Sequence, residues 1–243
     1  MILIIIIASP IADLKGYYMQ NTTRLNLRTH KISASHYPLW SNISTHFSET
    51  LDCFTAYLAM EAAEVVEGAK PGNLVNLVNR QRPCGLNPYQ LWKQFGPDLL
   101  ADTGLRAFEL ADRNDSLLLY LYRPDLLESL LKRRGVAIIL QRQGYLNQED
   151  LAAILGQLQL HIASGPFPHE IGIFLGYPLK DVLAFMGTIQ LPFACQGPWK
   201  IYGDPAPSLE LACRYRDCRW RMARRLRTTS TPASCLLARP ATA

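Results

Sequence analysis

The chain has no cysteine pair at C-x-x-C spacing, so zinc ribbons and thioredoxin-like redox centres lose their usual ligands and nucleophiles. It has no G-x-x-x-x-G-K-[ST], no G-x-G-x-x-G, no H-E-x-x-H and no G-x-S-x-G. Phosphate-cradling loops, dinucleotide folds, zinc proteases and serine hydrolases of the common kinds are therefore without motif support. Long apolar runs are also missing. The longest, Met1 to Ala8, is far short of the roughly 20 residues that span a bilayer. It also lacks the positive flank of a secretory signal, and it is read as a strand at 2–7 or an appendage. No integral membrane segment is expected. Charged residues are scarce at 19%, while 49% of the chain is hydrophobic, so a buried core is expected and wholesale disorder is not.

What is present is unevenly distributed. The six cysteines, at 53, 84, 195, 213, 218 and 235, could form three disulfides, but a core this apolar does not need them. Reduced thiols and a cytoplasmic location are expected. The net charge of +5 comes from one end: eight arginines follow Leu211 against a single acid, Asp217, a local charge of +7, so residues 1–210 carry −2.

Periodicity divides the chain into an extension at 1–48, one domain at 49–227 and a Thr/Ser/Pro/Ala-rich tail at 228–243, expected to be disordered. From Leu51 to Glu67, Phe54, Tyr57, Leu58, Ala62, Val65 and Val66 recur at helical spacing and Gly68 stops the run. A strand at 73–78 and a helix at 89–101 follow. Residues 105–112 and 116–122 read as a hairpin about Asn114, and the second strand is apolar on both faces, as an interior strand is. Pro124 starts a helix that Gly135 or Gly144 ends, and 148–163 forms another. A helix after Pro178, a strand at 199–203 and a long helix capped by Ser208 complete the domain. The fold class is α+β, with a small, mostly antiparallel sheet that has room for a split β-α-β element, packed by several helices.

Several segments agree with one family. They are Leu118 to Pro124 (LLYLYRP), Phe167 to Gly172 (FPHEIG), Leu175 to Pro178 (LGYP) with Asp181-Val182, Trp199 to Asp204 (WKIYGD) and Arg214 to Cys218 (RYRDC). Over about 61–227 the chain resembles a bacterial family known as domain of unknown function 3793. Many members open with a His-Cys pair a few residues before a Gly-x-Lys turn. Here the turn is Gly68-Ala69-Lys70 and the pair is Glu61-Ala62, a departure that removes support for a catalytic or metal role of that pair. The resemblance supplies no activity, substrate or cofactor.

Three constellations are candidates for chemistry. His169 and Glu170 sit at a helix start, where the dipole favours the carboxylate and a neutral imidazole makes a competent base or metal ligand. The same residues also suit a purely structural helix start, and neighbours on a helix diverge by about 100°. Cys195 lies in a Gly-Pro loop near Lys200, which would lower the thiol pKa, and Lys200, Tyr202 and Asp204 share one strand face. The sharpest expectation is a joint small-ligand, metal or cofactor site of these residues, with His169 and Glu170 as its catalytic members. The third candidate is the basic helix over 214–227. There Arg216, Arg221, Arg224 and Arg225, with Tyr215 and Trp220 interleaved, suit nucleic acid or an acidic partner. A scaffold protein with no small-molecule site is the remaining reading. Which metal, cofactor or reaction would be involved is not encoded in any motif.

Overall fold

The computed structural model describes residues 37–82, 84–146 and 150–239. The strand expected at 2–7 lies outside the described residues. A short helix α1 (Ser41–Ser44) leads into α2 (Thr50–Glu61), which breaks at Ala62 and resumes as α3 (Ala63–Val66). Strand β1 (Gly72–Val78), helix α4 (Pro88–Leu100) and the hairpin β2 (Arg106–Asp112) and β3 (Ser116–Tyr122) follow. Then come α5 (Pro124–Leu131), α6 (Arg134–Arg142), α7 (Leu151–Ser164), α8 (Ile171–Phe174) and α9 (Leu179–Phe185). A two-stranded ribbon, β4 (Phe193–Gln196) and β5 (Lys200–Tyr202), precedes α10 (Ala206–Thr228) and a 3-10 turn over Pro232–Leu236. Among the described residues, no helix is long and apolar enough to cross a membrane.

The main sheet has the order β1-β3-β2, with every pairing antiparallel. β1 and β2 therefore run parallel with β3 between them, and α4 joins them: the split β-α-β element, within an α+β fold. The hairpin turns on Asn114, the only non-glycine described residue with a positive φ, 65°. Asp112 Oδ1 accepts the Asn114 N–H at 3.1 Å and stabilises the turn.

Alternation along β3 feeds two apolar layers. Leu117, Leu119 and Leu121 join Val75 and Leu77 on the face covered by α2 and α4. Tyr120, with Leu118 and Tyr122 at its side, faces the opposite layer, built from α5 to α9. The Tyr120 hydroxyl crosses that layer to donate to the Phe174 carbonyl at 2.7 Å. Gly72 makes room for it, since a Cβ there would lie 2.2 Å from the Tyr120 oxygen. The ribbon forms a third cluster, in which Trp199 and Ile201 pack on Tyr215 of α10.

Four expectations change. The helix after Pro124 stops at Leu131 and restarts at Arg134, with Gly135 inside the new helix and Gly144, at φ 92°, past its end. Ser208 does not cap α10. It is fully buried in the helix and donates to Asp181, while Asp204 Oδ1 accepts the Ala206 N–H. Residues 37–48, assigned to the extension, insert Ile43 and Trp40 into the first layer. Residues 229–239, expected from composition to be disordered, hold the 3-10 turn. Its Cys235 and Leu236 are buried among the first-layer residues, and beyond it the Ala238 and Arg239 N–H groups donate to the Thr103 and Val66 carbonyls. Two apolar side chains anchor a segment whose average composition is that of a linker.

Candidate functional site

The one-turn helix α8 begins as the chain reverses after Gly165, and it turns His169 and Glu170 away from each other. Glu170 is buried at 5% exposure, with Oε1 accepting from the Tyr145 hydroxyl at 3.2 Å and lying 2.8 Å from His161 Nδ1. A carboxylate oxygen facing Nδ1 suits the tautomer that carries its proton there, and in that tautomer Nε2 is the acceptor. Gln157, one turn earlier on α7, places its Nε2 2.9 Å from that nitrogen. The Tyr145 ring meets the imidazole edge-on at 5.0 Å. Burial, with the Glu170 charge, pushes the Tyr145 phenol well above its ordinary value, so it stays a donor. A cavity of about 210 Å³ adjoins this chain of polar groups, lined by Gly144, Tyr145, Leu146, Ala153, Ile154 and Gln157. That is space for about seven waters or a ligand of comparable size.

His169 goes the other way. It is exposed, with its ring 4.7 Å from Phe185, and Lys200 Nζ lies 5.4 Å from the same ring. Phe185 thus packs against both His169 and Lys200, and neither shares a hydrogen bond with Glu170 among the described residues.

The ribbon is tied to Asp181 of α9. Asp181, which is 2% exposed, accepts Lys180 Nζ at 2.8 Å, Trp199 Nε1 at 2.9 Å, the Tyr202 N–H at 3.0 Å and Ser208 Oγ at 2.6 Å. Burial alone would raise its pKa, but these donors overcome it and hold the carboxyl below the usual range. Tyr202 lends its backbone to Asp181 and packs its ring edge-on against Phe193. The Cys195 thiol is pushed up by burial and by the Asp181 charge, opposite to the lowering expected from a nearby lysine. The polar face of Lys200, Tyr202 and Asp204 is half-exposed, and Ile201 and Trp199 are buried behind it.

On α10 the arginines separate into two groups. Arg221 and Arg225 both bond Glu67, at 3.1 and 3.4 Å, and Arg216 reaches Cys213 Sγ at 3.5 Å. Arg219 bonds Glu64 at 2.8 Å across the interface with α3. Arg214, Arg224 and Arg227 are exposed and make no side-chain hydrogen bond or ion pair with a described residue.

Sequence reading singled out Glu170 but missed His161, Tyr145 and Gln157. The i, i+4 spacing of Gln157 and His161 is the only local signal, and nothing local links them to a carboxylate nine residues on. Among the described residues no group of three or more His, Cys, Asp or Glu side chains is placed to hold a metal ion. One family model, described as a protein of unknown function (DUF3793), matches residues 58–236. Neither a curated protein nor a solved structure matches the chain.

Proposed function

The chain belongs to the DUF3793 family of proteins of unknown function, and we propose that it binds a small polar ligand in the cavity between the Gly144–Leu146 segment and α7. The observation that carries this reading is the buried Glu170 carboxylate holding His161 Nδ1 at 2.8 Å, which turns Nε2 towards the cavity-lining Gln157. A histidine oriented by a carboxylate is the arrangement that presents a directed lone pair. The base or ligand role first assigned to His169 passes to His161, and Glu170 keeps its role as the electrostatic partner. Gln157 is the specificity group: rotation of its amide exposes Nε2 to whatever occupies the cavity. A core this apolar does not need disulfides, which supports a reducing compartment, the cytoplasm.

The test is a fragment library screened by ligand-observed NMR. Fragments that bind the wild type are expected to lose tenfold or more in affinity on His161→Ala and on Gln157→Ala, with unchanged circular dichroism. Fragments that bind both variants as they bind the wild type, or a wild type that binds none, would remove the cavity from consideration.

A further inference from the structure

Two thiols meet where the β1–α4 connection folds back on α2. Cys53 lies on α2, 5% exposed and part of the first apolar layer. Cys84 lies in the connection and is exposed. The two thiols touch through a side-chain hydrogen bond. The chain around them holds them there. The Arg82 N–H donates to the Leu86 carbonyl at 2.8 Å and the Gly85 N–H to the Arg82 carbonyl at 2.9 Å, which closes the turn that carries Cys84. Leu86, 1% exposed, anchors one end of this turn in the same layer as Cys53. At the other end the Arg82 guanidinium lies 4.3 Å from the Tyr57 ring centre and donates to the Tyr57 hydroxyl at 3.1 Å. Tyr57 is one helical turn from Cys53, so Arg82 and Cys84 dock on neighbouring positions of one face of α2.

We propose that Cys53 and Cys84 are a thiol pair that closes to a disulfide by exchange with a low-molecular-weight disulfide of the glutathione kind, fastening the β1–α4 connection to α2. Cys84 is the member open to the reagent. Its thiolate attacks one sulfur of glutathione disulfide, the reagent's S–S bond breaks, and one glutathione leaves as a thiolate that takes up a proton. Cys53 then gives its proton to water and attacks the Cys84 sulfur. The mixed disulfide breaks and the second glutathione leaves. Two protein thiols are oxidised, and one glutathione disulfide is reduced to two thiols.

Burial sets the order of the two steps. It pushes the Cys53 thiol up to about 11, the neighbouring Cys84 adds to this, and Arg82 opposes it, so Cys53 is the poorer first nucleophile. Once Cys84 is capped by glutathione it carries no charge, and its opposition to the ionisation of Cys53 is gone. Closing the bond shortens the separation of two touching sulfurs by about 2 Å. A Cβ at Gly85 would meet nothing within 4 Å, so the tip of the turn has room to follow. In a reducing compartment such a pair stands open and closes when the disulfide pool rises. This assignment is independent of the His161 cavity.

The test is equilibration of the full chain with reduced and oxidised glutathione at pH 8, followed by acid quenching, alkylation of the remaining thiols and peptide mass spectrometry. One bond is expected, joining Cys53 to Cys84. Its equilibrium constant should be at least tenfold larger in native buffer than in urea, where the turn no longer holds the thiols together. Cys53→Ser should stop at a glutathione adduct on Cys84, and Cys84→Ser should leave Cys53 unmodified over the same time. A bond from either cysteine to Cys235, which is buried in the same layer as Cys53, overturns the pairing. So does a native wild type that keeps glutathione on Cys84 with Cys53 free, or an equilibrium constant no larger than in urea. These wild-type results decide the pairing even where a variant fails to fold. Modification of Cys53 in a folded Cys84→Ser protein as fast as Cys84 reacts in the wild type overturns the order of the steps.

Discussion

Two buried ionisable side chains make stability rise with pH, in separate windows. The Lys70 amine titrates at about 8 in the fold and 10.5 as an ordinary lysine. Between those values the unfolded chain binds more protons, so stability rises with pH, by up to about 3 kcal/mol over the window. Denaturant melts at pH 7.5 and 9.5 should show this rise in the wild type and a flatter profile in Lys70→Met. Asp181 gives a slope of the same sign in the acid range. Its carboxyl is held below 3.8, so its contribution is present above that value and is lost as pH falls through the folded pKa. Asp181→Ala strands the Trp199, Ser208 and Tyr202 donors and should cost about 3–5 kcal/mol at pH 7, with a shallower acid limb. At this scale the sequence was half legible. Pro-His-Glu marked a helix start, but nothing in it shows that Glu170 turns inward and His169 outward. Nothing near Lys70 and Glu64 in the chain shows that α10 covers them.

The elements themselves were read well where the pattern repeats and poorly where packing decides. β3 declared itself interior by having leucines on both faces, and its pairing with β1 and β2 follows. The break at Lys132-Arg133 carries neither proline nor glycine, and β4 is only four residues long with Phe193 56% exposed, so neither left a trace. On α10 an even scatter of arginines concealed a division that mutation should expose. Arg219→Ala leaves Glu64 buried and uncompensated and should cost about 3–5 kcal/mol. Arg224 is exposed and bonds no described residue through its side chain, so Arg224→Ala should stay within about 0.5 kcal/mol. Equal losses at both positions, measured by urea melts, would mean that the Glu64 pairing contributes little. The 3-10 turn makes a similar claim for the tail. Leu236 is fully buried, so Leu236→Ala should cost about 2–5 kcal/mol, and a chain ending at Thr228 should be less stable still. A tail that behaves as a linker would instead be removable without effect on the melting midpoint.

At the scale of the whole molecule, one three-stranded sheet separates two apolar layers, and β3 belongs to both. Leu119 and Tyr120 are adjacent in sequence, fully buried, and assigned to opposite layers. Neither layer can lose its sheet without removing the floor of the other, so the two should unfold together. The distribution of tryptophan makes this measurable. Trp40 and Trp92 belong to the first layer, Trp199 to the ribbon cluster and Trp220 to α10, and none of the four lies in the second layer. Leu158→Ala hollows the second layer at a fully buried position and should cost about 2–5 kcal/mol. If the layers are coupled through β3, the tryptophan fluorescence midpoint moves with the far-UV dichroism midpoint, although no tryptophan adjoins the cavity. If they are independent, the fluorescence midpoint stays in place while the dichroism trace splits into two steps, and the shared strand is then a geometric neighbour of the second layer with no energetic hold on it.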